Sequence, residues 1–428
     1  MDGHAASRAA GDPVRVRTRR PGPPLLLLAA VSALAPSALH MLVPSMPRLA
    51  AVFAAPIGAV QLVLTLFLAG IAAGQLVYGP LSDRFGRRPV LLAGLAVFLC
   101  GTALCGLAWS LPALIIGRVL QAIGGCAGMV LGRAIVRDVF DRERAASAIA
   151  MIAMAMTLAP SLSPAIGAYL TEWFGWRANF VLLAAFGSAV LILAARMLRE
   201  TRPDAAPLSP RGIADSLGAL LRSPAFLGYA SATAFTSASW FAFLAIAPYF
   251  LSDLLHQPPS TYGLMILLPM AGYFIGNAGA IRFAVRLGST RLFVLGLAVS
   301  LASGLLLAQW SLGAKLTAWA LFVPMALSSV GNGLSQPAGL AAALSVNPRI
   351  AGTASGLLGA SQMAVAALGT LLVGQLPRES ALWMVVVVGG CLALALVCGL
   401  LAVRASPELP GRARRRTERR GAAFGESC

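Results

Sequence analysis

The sequence predicts an all-α membrane protein made of two related six-helix bundles, and three observations predict it. The first is composition: of 428 residues, 58% are hydrophobic and only 11% are charged, with a mean hydropathy of +0.81. Soluble domains carry roughly 25% charged residues, so the main solvent of this chain is lipid. The second is a series of twelve uncharged or nearly uncharged runs, each near the roughly 20 residues that a helix needs to cross a bilayer core about 30 Å thick. The third is an internal repeat that relates the two halves. Alternating ten-residue strands are absent, and backbone groups in lipid must be satisfied within their own segment, so the spans are helices.

In chain order the predicted spans are 24–46, 58–80, 90–109, 111–132, 145–170 and 177–196, then 225–251, 262–281, 292–311, 316–337, 351–376 and 381–402. They form one bundle over 24–197 and another over 225–403, joined by a polar linker, 198–224, and flanked by tails 1–23 and 404–428. Arg15, Arg17, Arg19 and Arg20 precede the first span as they would a secretory signal. The run LLLLAAVSALAPSALHMLVPSM is longer than a signal core, however, and more spans follow, so it reads as retained. With the amino terminus inside, one side holds the tails, the 81–89 cluster, Arg133 to Arg144, the linker, Arg282 to Arg291 and Arg349. The other side keeps only Arg48, Arg177, Lys315 and Arg378. This is the positive-inside asymmetry of a multi-span protein with both termini cytoplasmic.

The net charge of +18 is thereby read as topology, and the tail GRARRRTERR as a contact with anionic membrane lipids rather than with nucleic acid. Abundant Arg beside a single Lys suggests a GC-rich bacterial genome, hence the inner membrane. Cys100, Cys105, Cys126, Cys391 and Cys398 lie in predicted spans and Cys428 in the tail, with no CxxC and no His at metal spacing. No metal and no organic cofactor is expected, and a monomer is expected. A polytopic enzyme would show a His, Asp or Glu cluster at a membrane boundary, and none is visible.

The repeat aligns GQLVYGPLSDRFGRRPVLLAG from Gly74 with GNAGAIRFAVRLGSTRLFVLG from Gly276 without a gap, at an offset of 202 residues. Gly74, Arg84, Gly86 and Gly94 meet Gly276, Arg286, Gly288 and Gly296, while Asp83 meets Val285. A duplicated bundle with a charged linker is the arrangement of secondary transporters, whose halves rock about a site near the midplane.

Within the first copy, Gly79 and Gly86 permit close backbone approach and positive φ, and Pro89 suits the first turn of a helix. Asp83 is placed to cap amide groups at a helix start, and Arg84, Arg87 and Arg88 to pair with carboxylates or lipid phosphates. GPLSDRFGRRPVLL resembles the loop between the second and third helices of the major facilitator superfamily. The longer FLAGIAAGQLVYGPLSDRFGRRPVLLAGL and LIIGRVLQAIGGCAGMVLGRAIVRDVF resemble its Bcr/CflA branch of drug exporters. ALHMLVPSMP, LAPSLSPAIGAYL and GWRANF extend the likeness over most of the amino half, and the carboxyl half is similar more diffusely. The resemblance implies a twelve-helix major facilitator fold that exports small drugs from the cytoplasm in exchange for protons by alternating access. It also implies that Gly79, Asp83, Arg84, Gly86, Arg87 and Arg88 form a latch between the halves; the plainer reading is a basic topological anchor.

Arg118 lies about a third of the way into the fourth span, where a charge at the centre costs roughly 2.5 to 3.5 kcal/mol. Gln121 and Gly125 share its face, and Gly124 with Gly128 would let another helix pack closely. The resemblance implies an arginine facing the cavity and linked to proton coupling; the competing reading is snorkelling to the outer interface. No span holds a carboxylate, and where the Bcr/CflA pattern has an aspartate before Met-x-x-Pro this chain has His40. His40 is therefore either a proton carrier titrating near neutrality or a neutral, packed imidazole.

Pro160, Ser163, Pro164 and Gly167 in the fifth span resemble the antiporter signature, and in isolation mean a kink. Ser37, His40, Gln61 and Thr65, with Asn277, Asn332 and Gln362, are candidate cavity groups. Trp240, Phe241 and Tyr249 add aromatic faces. Few polar groups among many apolar walls suit hydrophobic or amphipathic compounds, and they also suit ordinary helix packing. Two other readings remain open: a carrier of the same fold for a metabolite, and a membrane sensor or enzyme on the same scaffold.

Overall fold

The computed structural model describes residues 24–140, 142–201, 210–313, 317–376 and 382–406, and every regular element among them is helical. The first half contains α1 (Leu25–Met41), α2 (Ile57–Phe85), α3 (Arg87–Gly106), α4 (Leu111–Val139), α5 (Arg142–Phe174) and α6 (Arg177–Met197). The second contains α7 (Pro224–Tyr249), α8 (Leu267–Leu287), α9 (Ser289–Gly313), α10 (Ala318–Ser345), α11 (Ala351–Gln375) and α12 (Leu382–Ala405). Most of the amino-terminal and carboxy-terminal tails, including Cys428, and Lys315 and Arg378 lie outside the described residues.

Among the described residues, eleven helical segments are long and apolar enough to cross a membrane. The twelfth, α10, is 28 residues long and uncharged. Its apolar character is diluted by Ser328, Ser329, Asn332, Ser335 and Gln336, whose spacing puts them on one helical face.

Boundaries differ from the sequence expectation where local chemistry overrides hydropathy. The first span is broken, not continuous: α1 stops at Met41, a 3-10 turn covers Val43–Ser45, and a short helix covers Met46–Val52. Pro44 has no amide hydrogen and disfavours helical geometry in the residue before it. α2, α4 and α5 run past their apolar cores into charged sequence, because helix can continue where lipid ends. The linker holds a helix of its own, Pro210–Leu221, whose Leu220 is buried in the second half's core. Another short helix, Pro259–Met265, leads into α8.

Packing repeats with a shift of six helices. α4 touches α1, α2 and α3, α5 touches α1, and α6 touches α3; likewise α10 touches α7, α8 and α9, α11 touches α7, and α12 touches α9. The aligned glycines occupy equivalent joints: Gly86, between α2 and α3, has φ 92° and ψ 153°, and Gly288, between α8 and α9, has φ 77° and ψ 154°. Lipid offers no hydrophobic force between spans, so close approach depends on small residues. A Cβ on Gly101 would overlap the Gln121 amide nitrogen and one on Gly124 the Phe98 amide nitrogen, so α3 and α4 touch backbone to backbone.

The halves meet along α2 and α11. Thr65 and Thr370 share a hydrogen bond of 2.8 Å between their hydroxyls, and Gln75 lies against Gly359. At the end of the bundle where α1 stops, Gly263 of the short helix packs on Ala165 and Ala168 of α5.

Candidate functional site

Arg118 is 1% exposed, so snorkelling is ruled out. The break at Pro44 explains where its charge goes. The last four carbonyls of a helix lack an intrahelical donor, and Ala38 is one of those residues in α1. The Arg118 Nη1 donates to the Ala38 carbonyl at 3.0 Å and to Gln121 Oε1 at 2.6 Å. Gln121 Nε2 donates to the Thr102 hydroxyl at 2.8 Å, which donates to the Phe98 carbonyl at 2.7 Å. The guanidinium also lies over the Phe67 ring, 3.9 Å from its centroid. The cation is thus stabilised by the negative end of a helix, an amide and an aromatic face, with no ion pair among its described contacts.

A cavity of about 270 Å³ lies between the halves. From the first half it is lined by His40 on α1 and by Met156, Thr157 and Pro160 on α5. From the second half come Thr236, Ser237, Trp240 and Phe241 on α7, Met270 and Tyr273 on α8, Ser329, Asn332 and Gln336 on α10, and Gln362 on α11. His40 Nδ1 is 3.0 Å from the Pro36 carbonyl. A carbonyl only accepts, so Nδ1 carries a hydrogen and donates it, which leaves Nε2 as the nitrogen that can gain or lose a proton. The His40 ring stands 6.2 Å from that of Phe241.

The cavity gathers His40, Pro160, Trp240, Phe241, Asn332 and Gln362 from the expected set, and not the rest. Gln61 is fully buried, and its Nε2 donates across the halves to the Ala245 carbonyl at 2.6 Å. Ser37 is buried outside the lining. Asn277 donates to the Tyr273 carbonyl one turn back on its own helix at 3.0 Å. Gln336 was missed by the sequence reading: its Nε2 donates to the Thr236 hydroxyl at 2.8 Å, and its Oε1 accepts from Gln362 at 3.0 Å.

On α5, Ser163 is buried, and the Pro164 carbonyl lies beside Gly263 of the other half. A Cβ on Gly167 would overlap the Met41 carbonyl, so Gly167 lets α5 close on the end of α1. Gly124 and Gly128 serve different neighbours, α3 and α1, because a Cβ on Gly128 would overlap the Val31 carbonyl.

The α2–α3 joint differs from expectation in three respects. Asp83 is not the helix cap; it lies in the last turn of α2 and pairs with Arg87 at 2.8 Å. The amides of Arg87 and Arg88 instead donate to the Glu200 carboxylate beyond α6, at 2.9 and 3.1 Å. Gly79 has no neighbour near a would-be Cβ and no positive φ, so neither close approach nor a turn requires glycine there. The described bonds of Arg87 and Arg88 end within the first half, on Ser82, Asp138 and Ala195, so these bonds do not make the expected latch between halves. Arg84 is exposed, 5.1 Å from the Phe85 ring.

Comparison with known proteins agrees with this architecture. The Major Facilitator Superfamily model matches residues 26–244 and again 229–425. The chain is 31% identical to a chloramphenicol resistance protein of Pseudomonas aeruginosa, over 89% of this chain and 90% of that one. It is 30% identical to multidrug resistance protein D of Escherichia coli (79% and 85%) and 28% identical to a bicyclomycin resistance protein homolog of Haemophilus influenzae (87% and 94%). A D-xylose-proton symporter superposes with a TM-score of 0.73 at 15% identity, covering 90% of this chain and 97% of that one, a likeness of fold alone. With two matching six-helix halves, a cavity between them and family matches spanning both, the chain belongs to the Major Facilitator Superfamily.

Proposed function

We propose that this multi-pass membrane protein exports small drug-like molecules by alternating access, in exchange for protons. The observation that carries the reading is the cavity between the halves, to which the first half contributes the titratable His40 and the second an uncharged cluster of amides and hydroxyls. A proton and a cargo molecule then use adjacent walls of one space, so loading either favours release of the other. The relatives named for resistance to chloramphenicol, bicyclomycin and several drugs support this class of cargo.

In this reading both termini face the cytoplasm, the protein sits in a bacterial inner membrane as a monomer, and no cofactor takes part. Arg118 holds the end of α1 against α4, which fixes the depth of His40. The α2–α3 joint, braced by Glu200 and Asp138, keeps α2, α4 and α6 together while the halves move. An antibiotic susceptibility panel in a pump-deficient bacterial host tests the reading. Expression is expected to raise resistance to chloramphenicol or bicyclomycin, and Arg118→Ala to remove the gain. Unchanged susceptibility to every compound, with the protein present in the membrane, contradicts it.

A further inference from the structure

Among the described residues, one cavity-lining side chain has a buried acceptor with no hydrogen-bond partner. Around it, hydrogen bonds close on one another: Gln336 links Thr236 to Gln362. Asn332 sits one helical turn before Gln336 on α10 and takes no part. It is 8% exposed, it lines the cavity, and its Oδ1 is buried without a hydrogen-bond partner. Leaving a buried acceptor unpaired is costly, so a position used for packing alone is better filled by an apolar residue. Asn332 itself lines the space where cargo would sit.

Charge narrows the ligand further. Among the described residues the lining has no carboxylate, and its ionisable side chains are His40 and Tyr273. Arg118, a buried cation of the first half without an ion pair among its described contacts, is bound to the same helix as His40. A permanent cation entering this space would be buried without a counter-ion, which is far more expensive than burying a hydrogen-bonded neutral group.

We propose that Asn332 is the cargo-recognition residue of the cavity and that it selects uncharged molecules carrying an amide or hydroxyl group. Its carboxamide accepts a hydrogen bond from the ligand through Oδ1 and donates one through Nδ2, while Trp240, Phe241 and Met270 cover the ligand's apolar body. This inference rests on the export reading and names its substrate class.

The test is transport by the full-length protein in proteoliposomes with two probes: chloramphenicol, a neutral amide with hydroxyls, and tetraphenylphosphonium, a permanent cation. The wild-type protein is expected to move chloramphenicol and not tetraphenylphosphonium. Asn332→Ala is expected to raise the chloramphenicol KM roughly tenfold, the loss of about one well-made hydrogen bond. Asn332→Asp supplies the missing counter-ion and is expected to gain tetraphenylphosphonium transport, a change that a merely structural role would not produce. Size-exclusion profiles check folding, and Asn332→Ser replaces the alanine variant if that one aggregates. Equal wild-type transport of both probes, or an unchanged KM in a monodisperse Asn332 variant, overturns the inference and leaves export standing. Transport of neither probe by the wild type also overturns the inference, and the susceptibility panel then decides whether export stands.

Discussion

Arg118 and Pro44 depend on each other although 74 positions separate them in sequence. The proline stops α1, whose Ala38 carbonyl lies in the last turn, and the guanidinium donates to that carbonyl. Replacing Arg118 with alanine removes the donor to both Ala38 and Gln121. Each buried acceptor left unsatisfied costs about 1 to 3 kcal/mol, so Arg118→Ala should lower the melting temperature in detergent as well as stop transport. An unaltered melting curve would show that the guanidinium is not holding α1. Asn277→Ala is expected to leave chloramphenicol transport at the wild-type rate, because this side chain bonds its own helix and lies off the cavity. Arg118 and His40 were legible in the sequence because a polar group inside an apolar run stands out. Ser37, Gln61 and Asn277 were misplaced for a related reason: spacing gives the helical face of a residue but not what lies opposite. Opposite Gln61 is the Ala245 carbonyl of the other half, 184 positions away in sequence.

At the scale of elements, the α2–α3 joint is a turn of one residue whose backbone only glycine adopts freely. Gly86 has φ 92°, and a Cβ there would stand 2.5 Å from Glu200 Oε2. Gly86→Ala therefore adds backbone strain of roughly 1 to 3 kcal/mol, because positive φ with extended ψ is essentially confined to glycine, and pushes Glu200 off the amides of α3. Glu200→Ala alone should cost about 1 kcal/mol, the usual worth of a helix cap. Thermal unfolding of the two variants checks this, and the glycine variant should be the less stable; an unchanged melting temperature in Glu200→Ala would mean that Glu200 is not the cap. Gly86 and its repeat partner Gly288 were readable from the alignment of the two halves. Glu200 was not, because its pairing with residue 87 is set by how α6 packs on α3, which no local pattern records. Hydropathy located the spans but not their charged ends, since it reports where lipid is and not where helix stops.

At the scale of the molecule, the two halves share one packing plan and enclose a cavity to which each contributes different chemistry. The seam between α2 and α11 is held by neutral contacts, Thr65 with Thr370 and Gln75 beside Gly359. Single hydrogen bonds of this kind are worth about 1 kcal/mol, weak enough to be remade in each cycle. Pairing Thr65→Cys with Thr370→Cys and oxidising them should arrest transport, and reductant should restore it. Full activity of the cross-linked protein would mean that this seam does not move. The overall plan was open to sequence reading because composition, run length and the repeat all express it. The contacts that join the halves were not, since they depend on side chains from distant spans meeting.

The central claim is that a proton taken up at His40 drives cargo out through the cavity between the halves. Chloramphenicol uptake into inverted membrane vesicles, with and without an inside-acid pH gradient, tests it most directly in the wild-type protein and in His40→Ala. The account predicts that the gradient stimulates uptake by the wild type and that the variant, though inserted and folded, does not respond to it. Equal uptake with and without the gradient, or a response that survives in His40→Ala, would contradict the account.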